Sequence, residues 1–264
     1  MIFDRFAAAL RTDTPVALVT RLDGEHAGAK LLVFKDEVFG DLGTRGLNEA
    51  AVAEARAQLA LGQNTLRSFG EDGEPIGMEV RVFIAAYAPA PSMYIFGAID
   101  FSRAMARIGK YLGYRVVVVD ARPIFATKQR IPDADEIVVA WPDEYLRGAR
   151  VDERSALIVL THDVKFDIPL LEVAVRTSAG YIGAMGSRRT HANRLAALRA
   201  AGIGEADIAR VSAPIGLDIG ARTPEETAIS IAAEIVALRE GRSGGRLSEG
   251  SLPVHVPRST VSLS

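Results

Sequence analysis

The stretch that decides the fold is MYIFGAIDFSRAMARIGKYLGYRVVVVD, residues 93–120. It begins with a short apolar run that Gly97 ends, continues with apolar residues at helical spacing, and closes on consecutive valines and Asp120. An unbroken β-branched run is typical of a parallel strand that is buried on both faces. The order strand, tight turn, helix, strand predicts the first unit of a Rossmann-like sheet. Asp120 follows Gly97 at roughly the 20-residue spacing of a ribose-binding acid.

The turn of this unit departs from the dinucleotide-binding fingerprint. It reads Gly97-Ala98-Ile99-Asp100, with a bulky side chain at Ile99 where the backbone must approach a pyrophosphate. We predict that Asp100 is the helix N-cap, where its carboxylate would repel a phosphate at the same helix end. The scaffold signal is therefore strong and the pyrophosphate signal weak, and NAD(P) remains an alternative cofactor.

Composition excludes several kinds of site. The chain has 264 residues, a net charge of −2, 48% hydrophobic residues and no cysteine. Disulfides, thiol catalysis and cysteine-ligated metals are thereby excluded, and nothing indicates nucleic-acid binding or a metal site. No run approaches the ~20 apolar residues of a membrane span, and the start lacks the features of a signal peptide. We expect a soluble, cytoplasmic protein.

Residues 1–90 are predicted to form a smaller α/β (α+β) domain. Its strands are predicted at 15–20, 30–34, 65–69 and 78–86. Asn48 is a plausible N-cap for a helix over 50–61, which Gly62 ends. Strands with a single helix suggest a sheet that is covered on one side. The proline-rich segment 88–91 is a stiff linker and marks the domain boundary.

Residues 91–241 are predicted to form one α/β domain, with a tail over 242–264. After the first unit come predicted strands and helices, which are strands at 137–140, 156–160 and 181–182 and helices at 168–178 and 188–201. A capping box, Thr223 to Glu226 with Pro224 at the first helical position, opens the last helix. Right-handed crossovers predict a parallel sheet in the order 3-2-1-4-5 with helices on both faces.

Ligands of such sheets bind at the carboxyl ends of the strands, where the strand order reverses. That point lies between the strand ending at Gly97 and the one ending at Leu160. Thr161-His162-Asp163 follows directly. An adjacent acid can orient a histidine or raise its pKa. In the alternative, Thr161 and Asp163 cap the next segment and His162 packs under the loop.

The loop after the fifth strand, residues 183–189, carries an anion-binding pattern. Ser187 is a good N-cap, and Arg188 and Arg189 then fall in the first helical turn. Positive charge is disfavoured there by about 0.3–1 kcal/mol per residue, and a bound phosphate would reverse this penalty. In the alternative, both arginines point to solvent or pair with acids elsewhere.

Two further loops supply candidates at the same edge. Gly216 and Gly220 flank Asp218 and permit a close backbone approach to a ligand, although the segment could equally be a structural turn. Asp120 could hold a pair of ribose-like hydroxyls or could bond to Arg122. The candidate cofactor-binding residues are Gly97, Ala98, Asp120, Arg122, Thr161, His162, Asp163, Gly186, Ser187, Arg188, Gly216, Asp218 and Gly220.

With these motifs in hand, residues 93–241 closely resemble the xanthine dehydrogenase accessory factor family, XdhC/CoxI. The runs that carry the resemblance are IFGA (95–98), VDARP (119–123), LTHD (160–163), YIGAMGSR (181–188), PIGLDIGA (214–221) and TPEE (223–226). The resemblance implies a non-catalytic chaperone that binds molybdenum cofactor, shields it while its terminal sulfur is installed, and helps insert it into a molybdenum hydroxylase. It also implies a homodimer and a sulfurtransferase as a further partner.

The chain departs from this family's motifs in three places. DGEH (23–26) stands where the family has Ser-Ala-Pro-Arg, and residues 43–49 lack the cysteine of its Gly-Gly-Cys-x-Glu element. GAID (97–100) replaces Gly-Ala-Gly-His. Two other functions therefore stay open, which are an NAD(P)-dependent oxidoreductase and a degenerate scaffold that binds only a partner protein.

Overall fold

A computed structural model describes residues 2–75, 79–161 and 163–251. The chain divides into two compact units at the bond between Ala90 and Pro91. Met78, the first residue of a predicted strand, and residues 252–264 of the predicted tail lie outside the described residues. Within the described ranges, no helix combines the length and apolar character needed to cross a bilayer.

The first unit is an antiparallel sheet with a helix on each face. Its elements are α1 (Ile2–Arg11), β1 (Val16–Arg21), β2 (Lys30–Val33), β3 (Val38–Asp41), α2 (Arg45–Leu61), β4 (Thr65–Phe69) and β5 (Val80–Tyr87). The strand order is β3-β2-β1-β5-β4. Strand β3 was not predicted, because only four residues form it and they are mostly exposed.

The prediction that this sheet is covered on one side is wrong. Alternate residues of β1 point to opposite faces, so that Ala17 and Val19 pack with α2 whereas Val16 packs in a second cluster with Ala9 of α1. Helix α1 was missed at the sequence level because it is short and rich in alanine. Its residues Ile2, Phe6 and Ala9 nevertheless share one face at helical spacing.

The N-cap of α2 is Thr44, not Asn48 as predicted. Thr44 Oγ1 accepts a hydrogen bond from Leu47 N at 3.3 Å, and the helix begins one turn earlier than expected. Asn48 Oδ1 instead accepts from Leu42 N at 2.8 Å, so this side chain ties the helix to the end of β3. The predicted end at Gly62 is confirmed, since this residue adopts the left-handed conformation that favours glycine.

The second unit is the predicted Rossmann-like domain. Its strands are β6 (Ser92–Phe96), β7 (Arg115–Val119), β8 (Glu136–Val138), β9 (Ala156–Val159), β10 (Tyr181–Ala184) and β11 (Val211–Ser212). Its helices are α3 (Asp100–Tyr111), α4 (Pro142–Gly148), α5 (Val164–Ala174), α6 (Arg188–Ala200), α7 (Glu205–Ile208) and α8 (Pro224–Arg239), with a 3-10 turn at Leu247–Glu249. The short elements α4, α7 and β11 were not predicted.

All neighbours in this sheet are parallel, in the order β11-β10-β9-β6-β7-β8. This confirms the predicted order 3-2-1-4-5, with β11 as an additional edge strand. One core cluster joins one face of the sheet to α3 and α8, and the other joins the opposite face to α4, α5 and α6. Helices on both faces leave only the strand ends accessible as a crevice.

Candidate functional site

The ends of β6, β9 and β10 lie side by side at one edge of the sheet. Leu160 N donates to Phe96 O at 2.9 Å, and Met185 N donates to Val159 O at 2.8 Å. Ile215 N extends the row by donating to Ala184 O at 3.2 Å. The reversal of strand order falls between β6 and β9, and the predicted loops all leave the sheet at this edge.

Gly97 is the point where the loops after β6 and β9 touch. Its φ of +103° lies in a region that residues with a Cβ rarely adopt. A Cβ at this position would also lie 2.9 Å from Thr161 Cγ2 and 3.1 Å from Thr161 N. Both the conformation and the close approach therefore require glycine here.

The start of α3 is closed by Ser102, and the prediction of Asp100 as N-cap is wrong. Ile99 occupies the N-cap position, and Ser102 Oγ accepts from Ile99 N at 3.2 Å and donates to Gly97 O. Asp100 is 85% exposed and lies 3.5 Å from Arg130. The serine three residues into the turn supplies the polar contacts that an acidic cap would have made.

Asp120 is buried and fully engaged with its own chain. Its Oδ1 accepts from Arg122 N and Arg122 Nε, both at 2.9 Å, and its Oδ2 accepts from Ala98 N at 2.7 Å and Arg122 Nη2 at 2.8 Å. Burial alone would raise the pKa of Asp120, but these hydrogen bonds outweigh burial and hold the pKa below its ordinary value. The four donors fill the acceptor sites that a ribose would need.

The loop after β9 divides between a buried and an exposed residue. Thr161 is buried, whereas Asp163 is exposed and caps α5 by accepting from Lys165 N at 3.1 Å. Asp163 matches the capping alternative, and α5 consequently begins at Val164, a turn before the predicted start. His162 lies outside the described residues.

Two buried charged residues beneath these loops were missed by the sequence analysis. Thr161 Oγ1 donates to Asp167 Oδ1, while Arg194 donates through Nε at 3.1 Å, and through Nη2, to Asp167 Oδ2. Arg194 Nη1 also donates to Met185 O at 2.6 Å. The available signal was helical spacing, since Arg194 precedes the buried Leu198 by one turn and so faces the core.

The loop after β10 presents two arginines. Ser187 is the predicted N-cap of α6, and its Oγ accepts from Thr190 N at 3.1 Å. Arg188 and Arg189 are exposed and have no hydrogen bond or ion pair with any side chain or backbone group that the structure describes. A Cβ at Gly186 would lie 3.0 Å from Arg194 Nη1, so this glycine lets the loop lie close to the buried pair.

The loop after β11 is packed at one end and open at the other. Gly216 has a φ of +95°, its N donates to Glu234 Oε2 at 2.9 Å, and Glu234 also accepts from the Tyr181 hydroxyl. A Cβ at Gly216 would lie 2.4 Å from Ser230 Oγ on α8, so this residue serves packing. Asp218 is half-buried, and within the described residues its carboxylate has no partner.

The candidates are thus joined to different degrees. Direct contacts link Gly97 to Thr161 and Ala98 to Asp120. The Asp120 hydrogen bond, and more weakly the charge of Asp163, raise the pKa of Arg122, which places the loops after β7 and β9 within electrostatic range. No hydrogen bond among the described residues connects Asp218 or Gly220 to the other candidates.

A cleft of about 440 Å³ lies beside the starts of α3 and α8. Its lining is Ile99, Asp100, Arg103, Ala104, Arg107, Ile108, Arg130, Ile131, Pro224, Glu225 and Ile229. None of the described candidate residues lines this cleft. It opens on the α3 side of the sheet and mixes arginines with carboxylates at two helix starts, where a phosphate would be repelled.

Known proteins share this architecture. The model of the XdhC Rossmann domain matches residues 93–235, and the model of the XdhC and CoxI family matches residues 9–70. A crystal structure of a xanthine dehydrogenase from Bacillus halodurans has the same fold, with a TM-score of 0.63 and 24% identity over 90% of this chain and 66% of that one.

Two curated relatives carry names that bear on function. Identity is 32% over 159 residues, 60% of this chain and 46% of the relative, to a probable xanthine dehydrogenase subunit of Bacillus subtilis strain 168. It is 27% over 163 residues, 62% and 45%, to the molybdenum cofactor insertion chaperone PaoD of Escherichia coli K12. The chain spans about half the length of the curated relatives it matches. Because the first family model covers more than half of the sequence, the chain belongs to the XdhC and CoxI family.

Proposed function

We propose that this chain binds molybdenum cofactor and helps deliver it to a molybdenum hydroxylase of the xanthine dehydrogenase or carbon monoxide dehydrogenase type. Membership of the XdhC and CoxI family and a relative named as a molybdenum cofactor insertion chaperone support the proposal. The observation that carries it is the exposed pair Arg188 and Arg189 in the first turn of α6. Both lie beside the point where the strand order reverses, and neither has a counter-charge among the described residues.

The arrangement of this turn fits the phosphate of the cofactor. The first amides of a helix have no partner within the helix, and the helix dipole adds positive potential at the same end. Two guanidinium groups placed there repel that potential, at about 0.3–1 kcal/mol each when exposed. A phosphate removes this penalty and gains charge-assisted hydrogen bonds. We infer that the amides after Ser187 and the Arg188 side chain hold the phosphate, and that Asp218 faces the pterin.

A nucleotide-dependent oxidoreductase has less support. The carboxylate of Asp120 is saturated by its own chain, and Ser102 already bonds the backbone at the start of α3. We expect no shift in the melting temperature with NAD(P)H at millimolar concentration, measured by differential scanning fluorimetry. Even binding at 100 times the dissociation constant stabilises by only about 2.7 kcal/mol, so a clear shift would favour the nucleotide alternative.

The chain has no cysteine, so we propose that sulfur reaches the cofactor from a separate sulfurtransferase. The chain's part would then be to hold the cofactor while the partner acts. We also propose a homodimer as the working form. Light scattering coupled to size-exclusion chromatography measures the mass directly, and a monomer at all concentrations would remove the dimer from the proposal.

The test of the function is cofactor content after co-expression with the molybdopterin biosynthetic enzymes. We expect the purified chain to carry pterin, detected by fluorescence after oxidation, and Arg188→Glu to carry roughly tenfold less because the charge at the turn is reversed. The matched control is Arg150→Glu, an exposed arginine before β9 at the opposite edge of the sheet. A wild-type chain without pterin, or an unchanged content in Arg188→Glu, would contradict the proposal.

A further inference from the structure

The buried pair Asp167 and Arg194 has a role that packing alone does not explain. Their side chains are 2% and 3% exposed, and both carboxylate oxygens and all three guanidinium nitrogens are hydrogen-bonded. Burying two charges costs desolvation, and apolar residues of similar volume often stabilise a core as well or better. A pair kept at this place therefore points to a function in geometry rather than in stability.

The pair connects two loops that are far apart in the sequence. Asp167 on α5 accepts from Thr161, which follows β9, and Arg194 on α6 donates to the carbonyl of Met185, which follows β10. Without these bonds, the two loops would be held together at this level by backbone contacts alone. The Arg188 turn lies only three residues after Met185, so its position depends on the same anchor.

We propose that Asp167 and Arg194 are positioning residues that fix the loop after β10 against the loop after β9. Through Met185 O they set where the Ser187–Arg188 turn stands, and thereby the geometry in which that turn receives an anion. The identity of the anion, the phosphate of molybdenum cofactor, rests on the proposed function; the coupling of the two loops does not.

The experiment measures loop mobility and cofactor content in parallel. Asp167→Asn keeps the shape and removes the charge, and we expect hydrogen exchange of the backbone amides in residues 185–190 to rise roughly tenfold. Pterin content after co-expression should fall by a similar factor. The matched control is Tyr94→Phe, which removes a buried hydrogen bond of 2.7 Å to Arg150 O at the opposite edge of the same sheet. Its exchange in residues 185–190 should equal that of the wild type.

A second variant separates positioning from stability. Asp167→Leu combined with Arg194→Met replaces the pair by apolar side chains, and we expect it to fold with a melting temperature near that of the wild type. Exchange in residues 185–190 should still be raised, and pterin content should still be low. Normal exchange in this double variant would overturn the proposal. Raised exchange together with a wild-type chain that carries no pterin would support loop positioning and contradict the proposed function.

Discussion

At the residue scale, the start of α3 satisfies its polar groups with side chains of its own chain. Ser102 bonds Gly97 O and Ile99 N, and Asp120 accepts from Ala98 N. In a dinucleotide site these groups face the ligand. Here they stabilise the turn, which moves the free positive potential of the sheet edge from α3 to the arginine-bearing start of α6.

Asp120→Asn should destabilise the domain by roughly 2 kcal/mol at pH 7. The amide nitrogen of the introduced asparagine would oppose a donor from Ala98 or Arg122, and the figure is discounted because the Arg122 side chain is 45% exposed. Urea unfolding followed by circular dichroism measures the change. The control Asp133→Asn, which breaks an exposed pair with Arg107, should cost no more than about 0.5 kcal/mol.

The same variant predicts a pH dependence with a definite sign. The pKa of Asp120 is lowered in the folded state, so its contribution to stability is present above the unfolded pKa of about 3.9 and is lost as pH falls through the lower folded value. The difference in unfolding free energy between wild type and Asp120→Asn should therefore shrink as pH is lowered from 5 towards 2. A difference that grows in acid would contradict this assignment.

Gly97→Ala should be more costly than an ordinary substitution at a left-handed glycine. The new methyl group would meet Thr161 N at 3.1 Å as well as an unfavourable φ, and we expect a loss of about 3 kcal/mol. Gly113→Ala is the control, because Gly113 has a φ of +83° and open space around a Cβ. It should cost only the backbone strain, about 1 kcal/mol. Equal losses would show that the contact with Thr161 is unimportant.

At the scale of elements, α6 and α8 begin with opposite charges. Helix α8 opens with a reciprocal capping box, in which Thr223 Oγ1 accepts from Glu226 N at 3.2 Å and Glu226 Oε2 accepts from Thr223 N at 3.0 Å. Helix α6 has the serine cap but arginines where α8 has acids. The start of α8 is therefore internally satisfied, while that of α6 is prepared for an external anion.

Thr223→Ala should lower the stability of the second unit by about 1 kcal/mol, since the first amides of α8 lose their acceptor. For a domain of this size the melting temperature should fall by about 2–4 °C, measured by calorimetry. Thr223→Ser retains the hydroxyl and should restore most of the loss. If both variants behave alike, the methyl group rather than the cap stabilises this end.

At the scale of the whole molecule, each of the two compact units has its own hydrophobic clusters. We expect residues 91–251, expressed alone, to unfold cooperatively, with a circular dichroism spectrum of a mixed α/β domain. Binding of dyes that report exposed apolar surface should stay low. A molten fragment would show that the Rossmann-like unit needs the first 90 residues to fold.

The sequence by itself determined the fold of the second unit. The β-branched runs, the glycines after helices and the Thr223 capping box are local patterns, and right-handed crossovers convert their order into a strand order. Membership of the family likewise followed from motifs that lie along the chain. These features depend on residues that are near one another in the sequence, so no knowledge of distant contacts was needed.

The tertiary structure alone decided which polar groups are consumed. Asp167 meets Arg194 across 27 positions, Ala98 meets Asp120 across 22, and α1 covers the second face of the first sheet. Such pairings depend on how strands and helices are placed in space, and a short helix or a buried charge has no strong local signal. Arg188 remains available because no acid of the described chain is brought beside it, which a sequence cannot reveal before the fold is known.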